Sequence, residues 1–331
     1  MLNTFLATLE PMLTLFICIA VGFIAKKAKI FPDNSGKIMA KLETWIFCPA
    51  LSFRTMAKYC TVDTLSTHGL NILLASFCVA IAFIIATLLG RVFVRTKCSE
   101  RGIYMYALAF ANGGYVGDPI VLSLFGEVAL SYYKLFYLPF SIMIYTWGIS
   151  VLVPDTADGS KTSIIKKIMN APTVAMLVGI VVGISGLGGV LPSSVDGALS
   201  SLSACMGPVA MLLAGFTVAS YDIKQMLTNR KVYAATFLRL IVIPSVIVGA
   251  LFGLKELLNL VFDMSIGNLP LYLAFFATAC PLGLNTVVFP EAYGGRTDTG
   301  ASMALISHTL CVISIPIMFS LMVALFGRMA L

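Results

Sequence analysis

The stretch Asn112-Gly-Gly-Tyr-Val-Gly-Asp-Pro119 sets three glycines and a proline inside an apolar run of membrane-spanning length. Glycine weakens a helix and proline removes a backbone donor, so a helix entering this stretch is interrupted. In hydrocarbon the freed peptide groups meet no water, and each costs several kcal/mol. Such a break survives only where it is buried in protein or lines a watery cavity. A second interruption follows at Cys280-Pro-Leu-Gly-Leu-Asn-Thr286. Paired interruptions in corresponding halves of a chain point to a transporter's substrate site.

The setting for these breaks is a chain of 331 residues that is 59% hydrophobic and only 11% charged. Soluble domains carry about 25% charged residues, so this is the composition of a polytopic, all-α membrane protein. The net charge of +7 lies in the connections between apolar runs, which is a pattern of membrane orientation and not a nucleic-acid surface. Eight scattered cysteines form no Cys-x-x-Cys pair, and two histidines cannot build a metal site alone. No metal and no cofactor is expected. Phosphate-loop, Gly-x-Ser-x-Gly and His-Glu-x-x-His motifs are absent, so neither an ATPase nor a familiar hydrolase is indicated. The chain is expected not to be an enzyme. Glu10-Pro11 and the lack of a basic n-region make the first apolar run a retained span.

With about 20 apolar residues per crossing, the spans fall near 6–25, 38–57, 69–93, 102–126, 131–153, 169–188, 194–220, 232–254, 268–292 and 299–327. One set of connections carries Lys26, Lys27, Lys29, Lys37, Lys41, Arg91, Arg95, Lys97, Arg101, Lys161, Lys166, Lys167, Lys224, Arg230, Lys231 and Arg296. The opposite set carries only Arg54, Lys58, Lys134, Lys255 and Arg328. The positive-inside rule puts the first set, with the Pro154–Lys167 connection, in the cytoplasm and both termini outside, in the cell (inner) membrane. Five spans per half would invert the second half. Faint internal matches agree: Phe31-Pro32 with Leu191-Pro192, Pro49 with Pro208 as span interruptions, and Tyr106–Asn112 with Tyr272–Thr278. Two inverted five-helix repeats follow, residues 1–160 and 161–331, with helices 4 and 9 broken.

A helix restarting in mid-membrane presents free N–H groups and partial positive charge. That end can hold a carboxylate with no Lys or Arg, and neither break contains a basic residue. Asn112 and Asn285 add amides, Thr278 and Thr286 hydroxyls, and Tyr115 a ring with a polar tip. Gly113, Gly117, Pro119, Cys280, Pro281 and Gly283 shape the two breaks. Together with Asp118 these form the candidate substrate site. The plainer alternatives are close packing or a kink at the breaks, and interhelical glue for the two asparagines.

Asp118, His308 and Arg239 are the candidates for ion coupling. Asp118 is an intramembrane carboxylate and a plausible proton carrier; otherwise it borders a vestibule or pairs with a base such as Arg239. Arg239 reads as a structural partner and His308 as a helix-packing residue or proton relay. Glu43 reads as interfacial. Gly179-x-x-x-Gly183 and Gly249-x-x-x-Gly253 permit close helix approach.

Asn112–Pro119, Cys280-Pro-Leu-Gly-Leu-Asn285, Phe289-Pro-Glu-Ala-Tyr-Gly-Gly295, Pro49-Ala-Leu and Gly207-Pro-Val-Ala-Met-Leu-Leu-Ala-Gly215 together resemble the auxin efflux carrier family. That family includes plant PIN-formed carriers and bacterial malonate and malate permeases. The likeness spans nearly the whole chain. It implies a scaffold of spans one, two, six and seven, and a moving transport domain whose broken helices cross at mid-membrane. It also implies elevator-type movement of small organic anions without ATP, and in many members a homodimer. Asp118 departs from the family, which usually has an apolar residue there; this points to a different coupling ion or a cationic group on the substrate. Proton or sodium coupling and uniport stay open. So do a passive channel and a sodium-coupled carrier of the bile-acid symporter kind.

Overall fold

The computed structural model describes residues 2–96, 98–153, 169–264, 266–293 and 295–327. The Pro154–Lys167 connection lies outside them. The described residues form helices and turns, with one isolated antiparallel β-bridge and no strand.

Thirteen helices are distinguished among the described residues. They are α1 (Leu2–Lys27), α2 (35–59), α3 (Val62–Phe93), α4 (Ser99–Ala109), α5 (113–136), α6 (Leu138–Leu152) and α7 (Ala171–Ile184). They continue with α8 (Ser193–Ala219), α9 (Ile223–Thr228), α10 (Arg230–Phe262), α11 (Leu269–Ala279), α12 (Asn285–Tyr293) and α13 (Asp298–Phe326). Four of these, α3, α8, α10 and α13, are long and apolar enough to cross a membrane. A fifth crossing arises if Val128–Phe136 and α6, bent by 43°, form one span. The expected span 169–188 is shorter, ending in a 3₁₀ turn at Leu187–Val190. The expected spans 102–126 and 268–292 are each two helices.

Proline shapes these helices in a way the sequence reading mistook. Pro49 and Pro208 interrupt nothing: α8 runs unbroken through Pro208, and α2 continues through Pro49 by widening into a π turn at Glu43–Phe47. The same π turn precedes Pro119, at Gly113–Gly117, and Pro244, at Leu238–Val242. A proline ring clashes with the carbonyl four residues back and withdraws one donor; a wider turn just before it relieves both. Gly126 has φ +81°, which only glycine adopts without strain, and there the chain leaves the fourth expected span for the fifth.

Packing is tightest where glycines face backbone. α1 lies on α8, with Gly22 against Leu212 and Gly215 against Ile19. α2 lies on α7, where Gly179 and Gly183 meet the carbonyls of Phe53, Met56 and Cys60. The Gly179-x-x-x-Gly183 stripe is therefore an internal contact. Gly249 and Gly253 are instead exposed, and no described residue comes near them.

Candidate functional site

The two interruptions meet. Asn112 N–H donates to Pro281 O at 2.7 Å and Gly283 N–H to Phe110 O at 3.2 Å, pairing Ala111 with Leu282 as an antiparallel bridge. Each break thus satisfies part of the other's backbone, which is how a non-helical segment persists inside an apolar protein.

Arg239 supports the other side of the crossing. It is fully buried in the π turn of α10. Its guanidinium donates to Leu108 O at 3.0 Å and Cys280 O at 3.4 Å, and also to Thr278 O. These carbonyls end α4 and α11, where a helix leaves acceptors unpaired and carries partial negative charge. One cation therefore caps both half-helices. It does not pair with Asp118, contrary to one sequence alternative. Two tyrosines complete the frame: the single Tyr133 hydroxyl hydrogen is shared between Gly113 O and Phe276 O, each at 3.3 Å, and Tyr137 donates to Ala111 O at 3.0 Å. A Cβ on Gly113 would lie 2.5 Å from Tyr137 Cε2, so that contact requires glycine.

With their C-termini capped from one side, the half-helices turn their N-termini to a cavity. Asn112, Gly113, Gly114, Gly283, Leu284 and Asn285 line it, facing Ser52, Thr55, Tyr106, Ser141 and Tyr145. The Gly113 amide lies against the Tyr137 hydroxyl oxygen, whereas no described backbone acceptor reaches the amides of Gly114, Leu284 or Asn285. Such free amides attract anions. The larger groove bordered by Phe16, Phe23, Ile223 and Leu305 is almost wholly apolar and offers an anion nothing.

Several expected site residues do other work. Thr278 Oγ1 donates to Ala274 O at 2.6 Å, Thr286 Oγ1 to Gly283 O at 3.1 Å, and Cys280 Sγ to Phe276 O at 3.2 Å. In apolar surroundings these short polar groups bond the nearest carbonyl, so they hold backbone and do not line the cavity. Gly117 packs under the Tyr133 hydroxyl. Pro281 contributes its carbonyl to the bridge, and the side chains of Tyr115 and Pro119 lie outside the described positions.

Neither break contains a basic residue, yet a base from elsewhere in the chain reaches the cavity. Lys134, counted above among the outer connections, lines the cavity as the one charged side chain among its described residues. Its ammonium is paired with Asp118, and both side chains are about four-fifths buried, at 20% and 18% exposure. Asp118 is therefore Lys134's counter-ion, and it does not itself line the cavity. Lys134 sits sixteen residues beyond Asp118 in a Tyr-Tyr-Lys-Leu-Phe-Tyr cluster, which reads as an interfacial belt. Only the reversal at Gly126 folds it back.

The two asparagines are held by neighbours. Asn285 Nδ2 donates to Tyr106 Oη at 2.8 Å, leaving the tyrosine hydrogen free. Asn112 Nδ2 lies 3.3 Å from His308 Nε2, and His308 Nδ1 lies 2.9 Å from Ala304 O.

The Glu43 side chain faces protein, not a solvated surface. It is fully buried in the π turn of α2, and neither carboxyl oxygen has a hydrogen-bond partner; the Ala210 backbone lies beside it without donor geometry. Polar burial without a partner costs about 1–3 kcal/mol in proteins. Glu43→Met should therefore raise the stability of the purified protein by about that much. A lower melting temperature for this variant would show that the carboxyl is paired.

Two broken helices crossing with their N-termini at one cavity, inside an all-helical membrane chain, define a membrane transporter. The family model described as "Membrane transport protein" matches residues 7–319, and the chain belongs to this family, the auxin efflux carrier-like family its motifs resemble. It is similar to an uncharacterized transporter of Methanocaldococcus jannaschii, at 22% identity over 310 residues, which cover 93% of this chain and 96% of the relative. The family's members are transport proteins, not enzymes.

Proposed function

We propose that this chain is a secondary carrier of small organic anions, mono- or dicarboxylates above all. The observation that carries the reading is the convergence of three backbone amides without a described backbone acceptor, those of Gly114, Leu284 and Asn285, and one ammonium on a single cavity. A carboxylate placed there accepts from the half-helix ends and from Lys134, with the Tyr106 hydroxyl as a further donor. With Asp118 behind it, Lys134 adds no net charge to the resting site, so the empty carrier is not itself a trapped cation.

The wider mechanism belongs to the same proposal. Residues 1–160 and 161–331 are two inverted repeats of five crossings each. The bundle of α1, α2, α7 and α8 is the scaffold, and the crossed half-helices ride with the remaining helices as an elevator. The protein works in the cell membrane with both termini outside and the Pro154–Lys167 connection inside, and a homodimer is compatible with the exposed Gly249–Gly253 face. A passive channel is the second reading, because the cavity is partly open.

Reconstituted vesicles loaded against labelled malate test this. Wild-type uptake should saturate and show counterflow, whereas a channel shows neither. Asn112→Ala and Asn285→Ala should each cut uptake about tenfold or more, the scale of one hydrogen bond to a charged group, while the helical fold persists. Wild-type rates in both variants would overturn the site.

A further inference from the structure

At rest, Asn112 is turned the wrong way for an anion. Ala304 O can only accept, so His308 Nδ1 carries the ring hydrogen and Nε2 presents a lone pair. Asn112 must then give its NH₂ to Nε2, as the 3.3 Å contact shows. Its Oδ1 is left with no partner among the described residues, on a side chain that lines the cavity. A carbonyl oxygen repels a carboxylate.

We propose that His308 binds a proton together with each carboxylate, and that this reverses the Asn112 amide so that its NH₂ faces the anion. Protonated at both nitrogens, the ring donates from Nε2 and requires an acceptor, which the amide supplies by turning Oδ1 inward. The NH₂ then points outward as a donor. The proton comes from hydronium on the loading side: one O–H bond of hydronium breaks, one N–H bond forms at Nε2, and a water molecule is left. This rests on the carrier reading and names its coupling ion.

Neither partner binds well alone. α13 packs against α1, α4, α8, α9, α10, α11 and α12. The buried titratable or charged groups on these elements are Tyr104 and Tyr106 on α4, Arg239 and Lys255 on α10, and Tyr272 on α11, with Cys280 at its end. Cys311, on α13 itself, donates to His308 O. None is a carboxylate, and no described carboxylate lies within 4 Å of the ring. A cation at His308 thus has no protein counter-charge, and the cargo supplies it. An anion without the proton meets Oδ1. The two affinities are linked reciprocally, so a proton gradient can drive the anion.

The full chain in detergent or nanodiscs, titrated calorimetrically with malate in two buffers of different ionisation heat, tests the proposal at a pH where both malate carboxyls are ionised. Wild type should take up close to one proton per malate, with affinity falling about tenfold per pH unit of rise. His308→Gln and His308→Asn should bind more weakly at low pH, with heats independent of buffer and affinity flat in pH. With two histidines in the chain, nitrogen-labelled imidazole spectra give a readout without substitution: one ring should pass from the Nδ1–H neutral form to the cation when malate is added. Malate binding without proton uptake, or proton uptake retained in both variants, overturns this proposal alone. Absence of carboxylate binding by wild type overturns the carrier reading and this one with it.

Discussion

Arg239→Met is expected to destabilise the protein by at least about 3 kcal/mol, since three buried carbonyls lose their donor and each unsatisfied acceptor costs about 1–3 kcal/mol. The carbonyls of Leu108, Thr278 and Cys280 end two different half-helices, so the loss falls on the crossing itself. Arg239→Lys should restore only part of it: a flexible ammonium cannot reproduce a planar fork spread over two chain segments. Thermal melts of the three proteins in one detergent give the comparison. An Arg239→Met variant melting with wild type would mean that the cap contributes nothing.

Lys134→Met should abolish malate uptake, with a loss of about a hundredfold or more, the scale of removing a charge-assisted contact of about 3 kcal/mol. It should also destabilise the fold, because Asp118 is left charged, largely buried and alone. Asp118→Asn separates the two effects. The variant keeps Lys134 in the cavity without its neutraliser, so malate should bind more tightly and leave more slowly. Its pH dependence should match wild type, because here Asp118 serves as a counter-ion. The double variant should recover the fold of wild type and the silence of Lys134→Met. Uptake surviving in Lys134→Met would remove the ammonium from the site. A flattened pH profile in Asp118→Asn would return the carrier role to Asp118.

These two predictions concern residues whose partners the sequence could not name. Asp118 reads as an intramembrane carboxylate of the fourth span and Lys134 as a base counted with the outer connections, so nothing in the sequence pairs them. Gly126, at φ +81°, is the local cause of the difference: it turns the chain so that a helix after the break lies along the cavity. Arg239 could be seen as an intramembrane cation in need of acceptors, yet nothing in one chain says which carbonyls are free. That depends on two helices ending at one place. The threonines lie away from the cavity lining for the opposite reason. Their hydroxyls donate to local carbonyls within their own turn, so that hydrogen is not offered to the cavity.

What the residues alone determined is what hydrocarbon enforces. A chain this apolar must satisfy its backbone internally, so it is helical, and glycine and proline at 112–119 and 280–286 must break two helices where protein or a cavity receives them. That two such breaks mark a transport site follows from the same constraint. Only the tertiary structure decided which groups receive them: Arg239 at the carbonyl ends, Lys134 with Asp118 at the amide ends, and His308 behind Asn112. The physical reason is range. Backbone satisfaction is imposed residue by residue and is written in composition, whereas a buried charge is satisfied by whatever the fold brings within about 3 Å of it, from any distance along the chain.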